Sequence, residues 1–108
     1  GDTFKSSKGT IRLFGADTPE KGHKCYGSAK SSLQHISGNQ VRIEMGPRLK
    51  DRFGRTLFYV YDINGQSVSE LLISSGLAEA WRKDGQHRDT LVSIQDKARE
   101  HRNGCLWE

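Results

Sequence analysis

Apolar positions along the chain follow a period of two in some stretches and near 3.6 in others, with turn residues between. Thr3-Phe4-Lys5 leads into a turn at Ser6-Ser7-Lys8-Gly9, and Thr10 to Phe14 leads out, which predicts two short strands over residues 2–14. Ile11, Leu13 and Phe14 are the apolar positions of the second strand. Residues 21–25 are polar and predict an exposed loop. Ala29, Leu33 and Ile36 share one helical face, predicting a helix from Tyr26 to Ser37 that Gly38-Asn39 stops. From Gln40 to Met45 the pattern alternates, with Val41, Ile43 and Met45 on the inner face of a half-buried strand. A basic loop, Gly46 to Asp51, is expected to lead into a tight turn at Phe53-Gly54. An aromatic-rich strand from Arg55 to Tyr61 and a second turn at Asp62 to Gly65 come next.

Ser67-Val68-Ser69-Glu70 has the form of a capping box, so a helix should start there, run to Ser75 and stop at Gly76. Leu77 to Arg82 reads as a short extended segment and residues 83–88 as polar loop. Leu91, Ile94 and Ala98 mark the inner face of a last helix over Asp89 to Arg102, after which Leu106-Trp107 folds back as an apolar clamp. There is no regular alternation of strand and crossover helix. The order predicts an α+β fold, mainly β: a five-stranded Greek-key barrel of OB-fold type capped by three helices. With 108 residues and no repeat or linker, the chain is expected to form a single domain over 1–108.

Composition adds a direction. Seventeen Lys and Arg against thirteen Asp and Glu give a formal charge of +4, which suits polyanions and also ordinary solubility. No run of apolar residues is long enough to span a membrane. Cys25 and Cys105 are either a disulfide or two free thiols, and their spacing excludes a CxxC-type site.

The chemistry-bearing stretch is Arg12 to Glu20. A strand carrying one cation ends in Asp17-Thr18-Pro19-Glu20, two carboxylates three positions apart in a corner that Pro19 stiffens. Asp2, at the start of the first hairpin, and Asp17, at its end, have a spacing that admits two readings. They meet as oxygen ligands of a hard cation such as Ca²⁺, or Asp17 caps the turn and Asp2 is solvated. Arg12 and Arg55 likewise either converge on one phosphate or form separate surface ion pairs. Lys50, Arg52, Arg82, Lys83, Arg88 and Arg99, with Phe53, Tyr59, Tyr61 or Trp81 as stacking faces, could line a nucleic-acid groove; core packing is the competing role for each aromatic.

Taken together, these segments resemble the staphylococcal nuclease (thermonuclease) family. The resemblance rests on Gly1-Asp2-Thr3, Ile11-Arg12-Leu13, Asp17-Thr18-Pro19-Glu20, Tyr26-Gly27-Ser28-Ala29-Lys30, and Asp51-Arg52-Phe53-Gly54-Arg55 with Leu57 to Tyr61. Ser75-Gly76-Leu77-Ala78 and Leu106-Trp107 complete it. It implies a Ca²⁺-dependent nuclease that hydrolyses phosphodiester bonds of DNA and RNA, prefers single strands and leaves 3′-phosphate ends. Asp2, Asp17 and the Thr18 carbonyl would be the metal ligands. Glu20 would accept a proton from the attacking water or orient it, and Arg12 and Arg55 would clamp the scissile phosphate. Asp51 would support the framework. Lys50, Arg52, Phe53, Arg82 and Lys83 would contact nucleic acid, with the chain acting as a monomer. The family has a further strand before Gly-Asp-Thr, so the first barrel strand is expected to be truncated. Arg82, Lys83 and Asp84 stand where family members carry tyrosines beside the nucleotide, and Phe53 replaces another tyrosine. The family is often exported, so the resemblance leans toward a secreted or periplasmic setting. A non-catalytic nucleic-acid- or protein-binding module on the same fold is the alternative. Such modules typically lose the acidic and arginine residues, whereas this chain retains Asp2, Arg12, Asp17, Glu20 and Arg55.

Overall fold

A computed structural model describes residues 3–6, 9–37, 41–50 and 55–108. Strand β1 (Thr3–Ser6) pairs antiparallel with β2 (Gly9–Leu13). Strand β2 then runs parallel to β5 (Thr56–Tyr61), with Arg12 opposite Leu57, and β5 pairs antiparallel with β4 (Arg42–Lys50). The order across this sheet is β1-β2-β5-β4. A separate two-stranded ribbon joins β3 (Ala16–Asp17) to β6 (Glu79–Ala80). Helices α1 (Tyr26–Ser37), α2 (Val68–Ser74), α3 (Arg88–Glu100) and the one-turn α4 (Gly104–Trp107) complete the α+β architecture.

The expected five-stranded Greek-key barrel is not seen among the described residues. Among the described residues, a four-stranded sheet and a two-stranded ribbon share the strands instead. Phe14 and Gly15 bend the chain off β2, so the continuation of that strand pairs with β6. Gly15 makes this bend with φ +88°, a left-handed conformation in which a side chain would be strained, and a Cβ there would lie 2.7 Å from a Leu91 methyl carbon. Strand β4 also runs to Lys50 rather than yielding to a loop at Gly46, with a register irregularity between Met45 and Lys50. Val41 and Ile43 pack against the core as expected, whereas Met45 is 61% exposed.

Strand β5 is buried on both faces (Leu57, Phe58, Tyr59 and Val60): α2 packs against it, the 81–87 segment meets Tyr59, and β2 and β4 flank its edges. Ile11 and Leu13 from β2, Leu72 and Ile73 from α2, Leu91 from α3 and Leu33 from α1 fill the same core. Each such aliphatic side chain contributes roughly 1.5–3 kcal/mol of transfer free energy. Buried polar groups tie the layers together. Ser69 Oγ donates to the Phe14 carbonyl (3.1 Å), and Gln95 Oε1 accepts from Ala80 N (2.6 Å). Ser67 caps α2 by accepting from Glu70 N at 3.2 Å, as the sequence predicts.

Cys25 and Cys105 form a disulfide. It accounts for the complete burial of Cys25, at the end of a loop that reads as exposed in sequence. The bond fastens the start of α1 to α4, and α4 in turn docks on the α2 stop, where Leu106 N donates to the Gly76 carbonyl (2.9 Å). The expected clamp at Leu106-Trp107 is therefore a short helix. No helix among the described residues is long and apolar enough to cross a membrane.

Candidate active site

Arg12 points off β2 toward the corner that follows it. Its side chain is only 12% exposed, and a guanidinium at that depth requires compensation. Partners among the described residues supply it. Arg12 Nη2 donates to Asp17 Oδ1, Nη1 donates to the Leu13 carbonyl (3.3 Å), and the guanidinium carbon lies 4.8 Å from the centre of the Trp81 ring. Trp81 is itself anchored. Its backbone N–H donates to the Gly15 carbonyl (2.9 Å), and its ring packs on Phe14 at 4.7 Å between centroids.

Asp17 closes the β3–β6 ribbon opposite Glu79, with its carboxylate 56% exposed. Thr18 is 6% exposed, and its buried Oγ1 finds no hydrogen-bond partner among the described residues. Glu20 is exposed in the loop before α1, where its carbonyl accepts from His23 N (3.0 Å). Arg55 immediately precedes β5, two residues before the Arg12 partner Leu57. Parallel strands at normal spacing put the Arg12 and Arg55 Cα atoms about 8 Å apart, within reach of one phosphate for two long side chains. Lys50 pairs with Thr56 and so lies beside Arg55. Arg12, Asp17, Arg55 and Lys50 thus gather at one end of the sheet, with Thr18 and Glu20 on the corner that Asp17 begins.

Two other expected site residues, Arg82 and Lys83, are not part of that gathering. Asp2, Asp51, Arg52 and Phe53 lie outside the described residues. Arg82 and Lys83 are exposed beyond Trp81, and Arg82 pairs with Asp96 on α3 at 3.7 Å. Tyr59 is 1% exposed and belongs to the core, so it offers no stacking face.

The fit to a hard cation rests on the corner itself. Asp17 presents two carboxylate oxygens, one of them engaged by Arg12, and an orphaned hydroxyl sits at the next residue. Oxygen-only donors suit Ca²⁺. Among the described residues, no group of three His, Cys, Asp or Glu side chains converges.

The 81–87 segment beside the corner is clasped to β4. Gln86 Nε2 donates to the Met45 carbonyl (2.8 Å), Arg48 Nε donates to Asp84 Oδ2 (2.8 Å), and His87 Nε2 lies 2.6 Å from Glu44 Oε1. The hydrogen bond from His87 holds the Glu44 carboxyl below its ordinary value. Burial, reinforced by the hydrogen bond to Glu44, pushes the Tyr61 hydroxyl up to about 12, and burial raises Tyr59 as well. The sequence does not distinguish Arg48 from other surface charges, and it marks Asp84 only as one of three residues standing where family members carry tyrosines. Arg48 falls in the stretch read as basic loop, and its position depends on β4 continuing to Lys50.

Comparison with known proteins places the sequence among nucleases and their homologues. The staphylococcal nuclease homologue family model matches residues 10–108. A thermonuclease of Staphylococcus hyicus is 31% identical over 120 residues, covering 99% of this chain and 70% of its own length. A thermonuclease of Staphylococcus intermedius is 31% identical over 107 residues, covering 91% and 62%. An uncharacterized endonuclease of Escherichia coli O157:H7 is 31% identical over 100 residues, covering 90% and 61%. The chain thus spans less than two-thirds of the length of the last two. With a family model spanning residues 10–108 and a thermonuclease 31% identical over 99% of the chain, the chain belongs to the staphylococcal nuclease homologue family.

Proposed function

We propose that this chain is a Ca²⁺-dependent nuclease that hydrolyses single-stranded DNA and RNA, acting as a monomer and leaving 3′-phosphate ends. The observation that supports it most directly is the pairing of Arg12 with Asp17 just past the end of β2, with Arg55 immediately before the neighbouring strand β5. Two guanidinium groups on one phosphodiester give charge-assisted hydrogen bonds that strengthen as the phosphorus gains a fifth oxygen and more negative charge. Asp17 aligns Arg12 for that contact. Glu20, exposed and three residues on, takes a proton from a water or orients it for in-line attack on phosphorus. The P–O5′ bond then breaks, the 5′ oxygen leaves as a hydroxyl after gaining a proton, and the phosphate stays on the 3′ side. Asp17 and the Thr18 carbonyl, with Asp2, are the residues that would hold Ca²⁺. When bound, that ion supplies Lewis-acid polarisation of a phosphate oxygen. Asp51 is assigned a supporting role, and Lys50, Arg52, Phe53, Arg82 and Lys83 track the strand. A disulfide persists in oxidising compartments, in keeping with a secreted or periplasmic enzyme.

The test is digestion of single-stranded DNA with Ca²⁺ or with a chelator, comparing the wild type with Glu20→Ala and Arg55→Ala. Cutting that needs Ca²⁺ and falls at least about 100-fold in each variant is expected. Cutting that survives chelation, or the Glu20 change, overturns the mechanism.

A further inference from the structure

Arg48 stands beside the proposed catalytic arginine on the same aromatic ring. Its guanidinium carbon is 5.3 Å from the centre of the Trp81 ring and 5.3 Å from that of Phe14. The Arg12 guanidinium carbon is 4.8 Å from the same Trp81 ring. Two guanidinium groups that share one indole lie within about 10 Å of each other. They are turned differently: Arg12 toward Asp17, at the acidic corner, and Arg48 toward Asp84, in the segment that leads to α3.

The arrangement is built. Gly46 lets β4 approach Phe14 closely, since a Cβ there would lie 2.7 Å from the Phe14 ring. Asp84 holds Arg48 along its Nε edge, at 2.8 Å from Nε and 3.5 Å from Nη2. The Gln86 bond to the Met45 carbonyl keeps the two segments together. Arg48 is nonetheless 46% exposed, so solvent and ligands reach it. A planar cation fixed by a carboxylate on one edge and by aromatic rings across its face has lost much of its rotamer freedom before any ligand arrives. Lys50, exposed two residues further along β4, extends the positive charge toward Arg55.

We propose that Arg48 binds the phosphate flanking the scissile one on a single-stranded nucleic acid, with Trp81 as the platform that aligns it with Arg12. The proposal rests on the nuclease reading for its choice of strand, but its test does not require cutting. The binding of a fluorescein-labelled single-stranded oligonucleotide is measured by anisotropy in EDTA across a range of salt concentrations, using the full chain. Arg48→Ala should weaken binding about 5–10-fold and reduce the slope of log K against log salt by about 0.7, the value for one lost phosphate contact on a single strand. Arg48→Lys, which keeps the charge without the planar fork, should retain the slope and recover only part of the affinity. Arg42→Ala, an exposed arginine at the other end of β4, opposite Tyr61, serves as the control for net charge. Binding by Arg48→Ala within twofold of wild type with an unchanged slope overturns the proposal. So does an equal loss in Arg42→Ala, or a wild type that does not bind. Parallel digestion with Ca²⁺ separates the two claims. A wild type that cuts without any Arg48 effect on binding leaves the nuclease reading standing alone. A wild type that binds through Arg48 but never cuts leaves only the binding site.

Discussion

Replacing both Cys25 and Cys105 by alanine should cost this domain a large part of its stability. The bond joins residues separated by 80 positions in a 108-residue chain, so it closes most of the unfolded chain into one loop. Loop-closure entropy for 80 residues is about 15 cal/mol/K, or about 4.5 kcal/mol at 25 °C. Domains of this size are stable by only about 5–15 kcal/mol. Alanine is the suitable replacement because Cys25 is fully buried and a serine hydroxyl there would need a partner. Urea denaturation followed by far-UV circular dichroism reads the effect: with m near 2 kcal/mol/M, the midpoint should fall by about 2 M. A thiol reductant should bring the wild type to the same midpoint and leave the double variant unmoved. A loss below about 1 kcal/mol would refute the reasoning. It would mean that the unfolded ensemble keeps α4 near α1 without the bond, or that the docking of Leu106 on Gly76 does not depend on it.

Gly76→Ala should destabilise by at least about 3 kcal/mol in the same denaturation assay. A Cβ there would lie 1.7 Å from the Asn103 carbonyl oxygen, which is backbone and cannot swing aside, and φ is +69°. Ser67→Ala removes the cap on α2 and should cost about 1 kcal/mol. Glu44→Gln tests the His87 contact through pH. The folded-state value of Glu44 is depressed below the ordinary 4.5, so the unfolded chain binds more protons in that range. The stabilisation is therefore full above 4.5 and is lost as pH falls through the folded value. The variant should show a shallower decline in stability on the acid side of 4.5, with little difference in slope at neutral pH.

Much of the fold was legible because local chemistry and tertiary demand agreed. Helix α1 occupies Tyr26–Ser37, where its periodicity predicts it, and Ser67 caps α2 through the bond that the capping box specifies. The α3 face of Leu91 and Ala98 is buried as its spacing requires. Where the pattern misled, longer-range pairing intervened. Met45 satisfies the alternation and keeps its register opposite Phe58, yet it is exposed. The stretch read as basic loop is strand, because β5 offers partners as far as Lys50. Trp81 invites either a core or a stacking role in the sequence. It takes part of each, one side packed on Phe14 and the ring within reach of two arginines.

By itself the sequence determined most of the element types and their order and the acidic corner at Asp17 to Glu20 that Pro19 stiffens. Those follow from periodicity, capping chemistry and the fixed φ of Pro19, all of which act over a few residues. Tertiary structure alone decided that Cys25 meets Cys105, that the strands share a sheet and a ribbon rather than a closed barrel, and that Arg12 pairs with Asp17 on the Trp81 ring. It also decided that Arg48, 36 residues beyond Arg12 in the chain, reaches that ring. These outcomes depend on strand register and on the bend at Gly15. A one-residue slip in register would turn every side chain of a strand to the opposite face.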